Sequence, residues 1–226
     1  MAQGQLKEPV VAYRDSWLLV ADKPQGQLVH GDGTGAPTLT HAVRALVARM
    51  GGDAAHVQAV NRLDVPTSGL VLFSLDKRLQ PQLDALVAGH DARKRYLALV
   101  RGSFPARQLL IDAPIARDRH DARRMRVAPG GKPARTLVTR LGQAQGCSLL
   151  GVELQTGRKH QIRVHLAHEG WPIVGDELYR GARSRAGLML HAWELAFVHP
   201  VTGEPLVVRS AWPARFPDPP EAGLGR

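Results

Sequence analysis

Ten consecutive residues, Asn61-Arg62-Leu63-Asp64-Val65-Pro66-Thr67-Ser68-Gly69-Leu70, set a guanidinium and a carboxylate two positions apart. In an extended segment the Arg62 and Asp64 side chains leave on the same side. Pro66 confines Val65 to extended or turn geometry. Thr67-Ser68-Gly69 then make a polar turn into the apolar run Leu70-Val71-Leu72-Phe73. The pattern is a carboxylate on a stiff loop at the start of a buried strand. An aspartate held ionised in such a place can act as a base or a nucleophile. As an ordinary surface ion pair, the same Arg-x-Asp would contribute only about 0–1 kcal/mol.

Other chemistries fit less well. His160, His165 and His168 lack the HExxH spacing, an i, i+5 pair does not share a helical face, and no third ligand is evident, so no metal is expected. Ser68 lacks the Gly-x-Ser-x-Gly elbow and reads as a turn residue. A glycosidase needs a second placed acid, and nothing ties Glu153 to Asp64. Asp64 remains, with basic groups and one aromatic. Tyr96 offers a ring face on which a base can stack, worth about 1–3 kcal/mol; a plain core tyrosine is the competing reading.

The 226 residues carry 30 Lys and Arg against 20 Asp and Glu, a formal charge of +10. That excess points to a polyanion, most commonly nucleic acid. Hydrophobic residues at 44% supply a substantial core. Cys147 is the single cysteine, which excludes an internal disulfide and fits a reducing cytoplasm; it reads as a small buried hydrophobe. There is neither a signal-peptide core nor a run of about eighteen apolar residues, so no membrane partner is expected.

Strands are predicted over 10–13 and 17–21, 69–74, 94–102, 136–141 and 148–154, 188–197 and 206–210. Helices are predicted over 39–50, 77–88 and from about His160. Residues 142–146 read as a turn, and the basic stretch 105–133 as a hairpin arm carrying Arg107, Arg117, Arg119, Arg123, Arg124, Arg126 and Lys132. Strands outnumber helices, and the helices fall irregularly among them. That predicts one α+β domain over 10–212, with tails at 1–9 and 213–226.

Asn61-Arg62-Leu63-Asp64 with Thr67-Ser68-Gly69-Leu70, Lys94-x-Tyr96, and Thr156-Gly157-Arg158-x-His160-Gln161-Ile162-Arg163-x-His165 follow one another in the order and spacing of the RluA-type pseudouridine synthases. Asp22-Lys23-Pro24, Gly170-x-Pro172-Ile173-x-Gly175-Asp176 with Tyr179, Leu190-His191-Ala192 and His199-Pro200 resemble the same family. The resemblance covers about residues 13–212. It implies a mixed, mostly antiparallel central sheet in two halves flanked by helices and loops, with the active cleft between the halves. It implies conversion of uridine to pseudouridine in structured RNA, ribosomal or transfer, without cofactor or metal, after the base is flipped out. Asp64 would be the catalytic aspartate, Arg163 its partner, and Tyr96 the stacking ring. Arg62, with Arg158 and His160, would contact RNA, and Arg123, Arg124 and Arg126 would do so from the arm. Asn61 departs from the histidine usual in the family, and Val65-Pro66 replaces a more polar pair. The small RNA-binding module that precedes many relatives is not expected, since about twelve residues precede the first strand. A monomer in the cytoplasm is expected. The alternatives are a scaffold that binds RNA or aids ribosome assembly without catalysis, and a hydrolase that releases free uracil.

Overall fold

Every residue of Ser68–Ser74 is buried, which makes this short apolar run an interior strand. The computed structural model describes residues 8–89 and 91–218. Residues 1–7 and 219–226 of the expected tails lie outside the described residues. In chain order the elements are β1 (Val10–Arg14), β2 (Leu18–Lys23), α1 (Leu39–Arg49), β3 (Gln58–Ala59), β4 (Ser68–Ser74), α2 (Gln80–Ala88), β5 (Arg93–Arg101), β6 (Gln108–Asp112), β7 (Ile115–Arg117), β8 (Met125–Val127), β9 (Arg135–Ala144), β10 (Cys147–Leu154), α3 (Gln161–His168), β11 (Leu190–Val198) and β12 (Pro205–Arg209). Strands dominate and the ladders described below are antiparallel, so the chain is α+β as the sequence predicts.

The residues cluster into two compact units. The first holds residues up to Ala92 together with Glu194–Ser210. In it β2 pairs with β1 and β4, β3 lies along β4, and β11 pairs with β12. One face of β2 and β4 contributes Leu18, Val20, Leu70 and Leu72 to a core completed by Leu79, Leu83, Leu195, Phe197 and Val208. Helix α1 begins where the Thr38 side chain accepts from the His41 amide, satisfying one unpaired helical donor. Its Leu39, Ala42, Val43, Leu46 and Val47 are all buried, as their spacing predicts. Helix α2 starts three residues later than predicted. Asp76 accepts from the Arg78 amide and folds 76–79 into a turn, and Pro81 suits only a first helical turn.

The second unit holds Arg93–Trp193 and the chain from Ala211. Its sheet runs β5-β10-β9-β6. Three expectations are corrected here. Strands β9 and β10 close through Gln145 and Gly146 alone, both with positive φ, which is the two-residue hairpin geometry that suits strand twist. Gly142 and Gln143, expected in the turn, belong to β9. The stretch 105–133 is not one arm: Gln108–Asp112 forms edge strand β6 on β9, and only β7 and β8 with their loop make a hairpin. That hairpin is seated by Ile115, Met125 and Val127, which pack with Val164 and Tyr179. Cys147 is half-buried rather than interior. Of the expected C-terminal tail, residues 213–218 are described: Phe216 is buried and packs beside His191.

His191 also gives this unit a defined acid response. Burial, reinforced by Arg215, pulls its imidazole from 6.5 down to about 3. Between those values the unfolded chain binds a proton that the folded chain refuses. Stability is therefore full above pH 6.5 and falls as the pH drops towards 3, at about 1.4 kcal/mol per pH unit while His191 alone titrates. His191→Gln is expected to flatten that slope in calorimetric melts between pH 6.5 and 4. A slope as steep as that of the unaltered chain would remove His191 as its source.

Candidate active site

In the first unit the loop from Val60 to Thr67 carries Asp64, and three kinds of bond fix it. The Val60 amide donates to Leu72 O at 2.8 Å, and the Leu72 amide donates to the Asn61 side chain at 2.7 Å. Asn61 thus extends the β4 ladder by one acceptor, which accounts for the amide at this position. The Thr67 amide donates to Asp64 O at 3.0 Å and closes the turn. Val65 O accepts both the Gly26 amide at 2.9 Å and the Lys23 ammonium at 3.1 Å. Gly69 follows at φ +112°, a conformation that side chains resist, and lets the loop enter β4 directly. Asp64 is half-buried, Arg62 is exposed and Leu63 is buried.

Lys23 is the residue that sequence reasoning passed over. The motif Asp22-Lys23-Pro24 marks only the end of a strand, yet Lys23 is fully buried. Its ammonium donates to Pro24 O at 3.0 Å, Gln27 O at 2.8 Å and Val65 O, so all three donors are used. Burial pulls its pKa down to about 8, against the opposing pull of the Asp64 charge. The signal was present in the alternation Leu19-x-Ala21-x-Lys23, which puts a lysine on a wholly buried face of β2.

In the second unit, Tyr96 sits on β5 opposite Val152 and is 8% exposed. Helix α3 carries Arg163 and is pegged to β9 from both sides of it. Gln161 accepts from the Thr156 hydroxyl and the Arg158 amide, and donates to Arg135 O and Thr136 Oγ1. His165 contacts Thr136 Oγ1 at 2.8 Å and Ala113 O at 2.9 Å, and burial lowers its pKa, so the imidazole is neutral and structural. Between them Arg163 meets Asp176 through Nε at 2.7 Å and Nη2 at 2.8 Å. The motif Gly170-x-Pro172-Ile173-x-Gly175-Asp176 contains Asp176 but does not reveal this partner.

The RNA-contact candidates are placed as follows. His160 precedes α3 in the left-handed region (φ 56°), with Nδ1 2.9 Å from Tyr179 Oη. Arg158 Nε donates to Pro133 O. Arg123 is exposed and pairs with Asp121 in its own loop at 2.8 Å. Arg124 lies over the Tyr179 ring, and Arg126 is half-buried on β8. Among the described residues no group of three His, Cys, Asp or Glu side chains is arranged to hold a metal, and no helix is long and apolar enough to cross a membrane.

Residues 17–168 match a family model described as RNA pseudouridylate synthase. The chain is 34% identical to the uncharacterized RNA pseudouridine synthase YhcT of Bacillus subtilis, over 90% of this chain and 68% of that protein. It is 33% identical to tRNA pseudouridine synthase C of Vibrio cholerae, over 88% of this chain and 89% of that one. With ribosomal large subunit pseudouridine synthase D of Xanthomonas campestris it shares 38% identity, over 87% of this chain and 63% of the relative. Among solved structures, human RNA pseudouridylate synthase domain containing 1 aligns with a TM-score of 0.77 at 27% identity, covering 94% of this chain and 87% of that one.

Proposed function

The chain belongs to the RNA pseudouridylate synthase family, whose members are isomerases, and on that premise we propose that it converts specific uridines of ribosomal or transfer RNA to pseudouridine with Asp64 as the acting carboxylate. The single observation that carries the assignment of Asp64 is its loop. The loop that bears this half-buried carboxylate is held by bonds to β2, to β4 and within its own turn, beside a buried lysine. Such a carboxylate is preorganised to act on a sugar without first reorganising.

The target uridine first leaves its stack, at a cost of a few kcal/mol. Phosphate contacts by Arg62 and the basic hairpin offset that cost. The bond between ribose C1′ and uracil N1 breaks with the help of Asp64, which attacks C1′ or removes the adjacent ribose proton. Arg163 steadies the carboxylate, and Tyr96 offers its ring to the freed base. Uracil turns, C1′ bonds to C5 as Asp64 leaves C1′ or returns the ribose proton, and the C5 proton is lost as N1 gains one. Atoms and electrons balance within the nucleotide, so no electron carrier is consumed.

Transcripts of transfer and ribosomal RNA carrying tritium at uridine C5 test the proposal. Tritium released to water with the chain intact is the expected result. Free uracil would identify a hydrolase. Bound RNA with no release would favour the scaffold without catalysis, an alternative to which the family match and the names of the relatives lend no support.

A further inference from the structure

Asp176 and Tyr179 join α3, the loop after it and the basic hairpin at one buried point. Asp176 is fully buried and Arg163 nearly so, and their two parallel bonds fix the plane of the guanidinium. A buried ion pair is weak evidence of stability, because desolvating both charges offsets most of their attraction. Fixing an orientation is what such a pair does well. Asp176 is itself rigidly held. The Gly181 amide donates to its carbonyl at 2.8 Å, and the Gly175 amide donates to Ala182 O at 2.7 Å. A Cβ on Gly175 would lie 1.8 Å from Gly187 O, so the chain passes here only as glycine.

Tyr179 completes the junction. Its amide donates to Asp176 Oδ1 at 3.3 Å. Its ring lies under two guanidiniums, with Arg163 Cζ at 5.2 Å and Arg124 Cζ at 5.4 Å from the centroid. Its hydroxyl accepts the Met125 amide at 2.8 Å and meets His160 Nδ1 at 2.9 Å. Met125 opens β8 and Arg124 ends the hairpin loop. A shift of the hairpin therefore moves both partners of Tyr179 that come from it, and the same ring touches Arg163.

We propose that Asp176 and Tyr179 are positioning residues that set the guanidinium of Arg163, and that Tyr179 makes this setting depend on how the β7–β8 hairpin sits on the RNA. The inference rests on Arg163 acting in the reaction proposed above. RNA phosphates that draw Arg124 and the hairpin loop towards them tighten or release the Tyr179 hydroxyl, and the rate of the chemical step follows.

The test compares Arg163→Ala, Asp176→Asn, Asp176→Glu and Tyr179→Phe on saturating C5-tritiated transcript in single turnover, with RNA dissociation constants measured in parallel. Asp176→Asn is expected to slow the chemical step about 10–100-fold, the scale of a small misplacement. RNA affinity should stay within about 3-fold, and Asp176→Glu should recover part of the rate, which a purely structural role would not produce. Tyr179→Phe removes one oxygen, keeps the ring and remains decisive should Asp176→Asn fail to fold. It should slow the step severalfold, and pairing it with Arg124→Ala should slow it by less than the product of the two effects. If Arg163→Ala is slow while Asp176→Asn and Tyr179→Phe match the unaltered rate, the inference is overturned and the proposed function stands. If Arg163→Ala itself keeps the full rate, the role of Arg163 and the inference built on it both fall.

Discussion

Asp64→Asn is expected to lower pseudouridine formation by about 10³-fold or more, the scale on which a lost general base or nucleophile is felt. The change is nearly isosteric, and the Thr67 amide still has Asp64 O as its acceptor, so the turn survives. What disappears is the charge that removes a proton or attacks C1′. RNA binding should persist or tighten slightly, because a negative group has left a surface that meets phosphate. Lys23 gives an independent reading of the same change. The Asp64 charge holds its pKa up against burial, so the amide variant should titrate below about 8 at Lys23. Turnover within tenfold of the unaltered enzyme would remove Asp64 from the role given to it. Lost RNA binding with a lowered melting temperature would assign the defect to the loop instead.

Much of this site was legible because its residues are close in sequence and their types are restrictive. Leu70 to Phe73 read as buried, and they are buried. Leu39, Ala42, Val43, Leu46 and Val47 repeat at helical spacing on α1 for the same reason. Less was legible where a local rule yields to a partner far along the chain. The β6 segment offered no clear strand signal: Leu110 is 43% exposed, and the ladder to β9 is supplied by residues about thirty positions later. The predicted turn over 142–146 contracts to Gln145-Gly146 because the paired strands on either side hold Gln145, not a usual residue at positive φ, in that conformation. Asn61 departs from the family's usual histidine, and its partner, the Leu72 amide, lies eleven residues further along the chain. Arg163 could be picked out by its motif, but its fork on Asp176 could not, since the twelve intervening residues close a glycine-walled loop whose course no periodicity announces.

Lys23 is the sharpest case of a contact that distance in sequence conceals, and it yields the second large effect. Lys23→Met deletes three hydrogen bonds at once and leaves Pro24 O, Gln27 O and Val65 O without their ammonium donor. An unsatisfied buried acceptor costs about 1–3 kcal/mol. Val65 O keeps the Gly26 amide, so at most two acceptors are orphaned, against relief from desolvating one ammonium. The variant should therefore melt lower, and with Val65 no longer tied to β2 the Asp64 turn should loosen. We expect turnover about 10–100-fold lower, the scale of a misplaced reacting group. The pH dependence separates this from general weakening. The folded ammonium titrates at about 8 and the unfolded one at 10.5. Between those values the unfolded chain holds the extra proton, so stability rises with pH, and the gain is lost again as the pH falls through 8. Turnover runs the other way, since the cation beside Asp64 is neutralised as the pH passes 8. Opposite slopes of stability and rate across pH 8–10 are expected for the unaltered enzyme, and both should flatten in Lys23→Met. Lys94, also lowered by burial, keeps its share of the stability slope in both proteins and cancels from the difference. An alkaline limb that survives unchanged in Lys23→Met would show that the buried ammonium has no hold on the chemistry at Asp64.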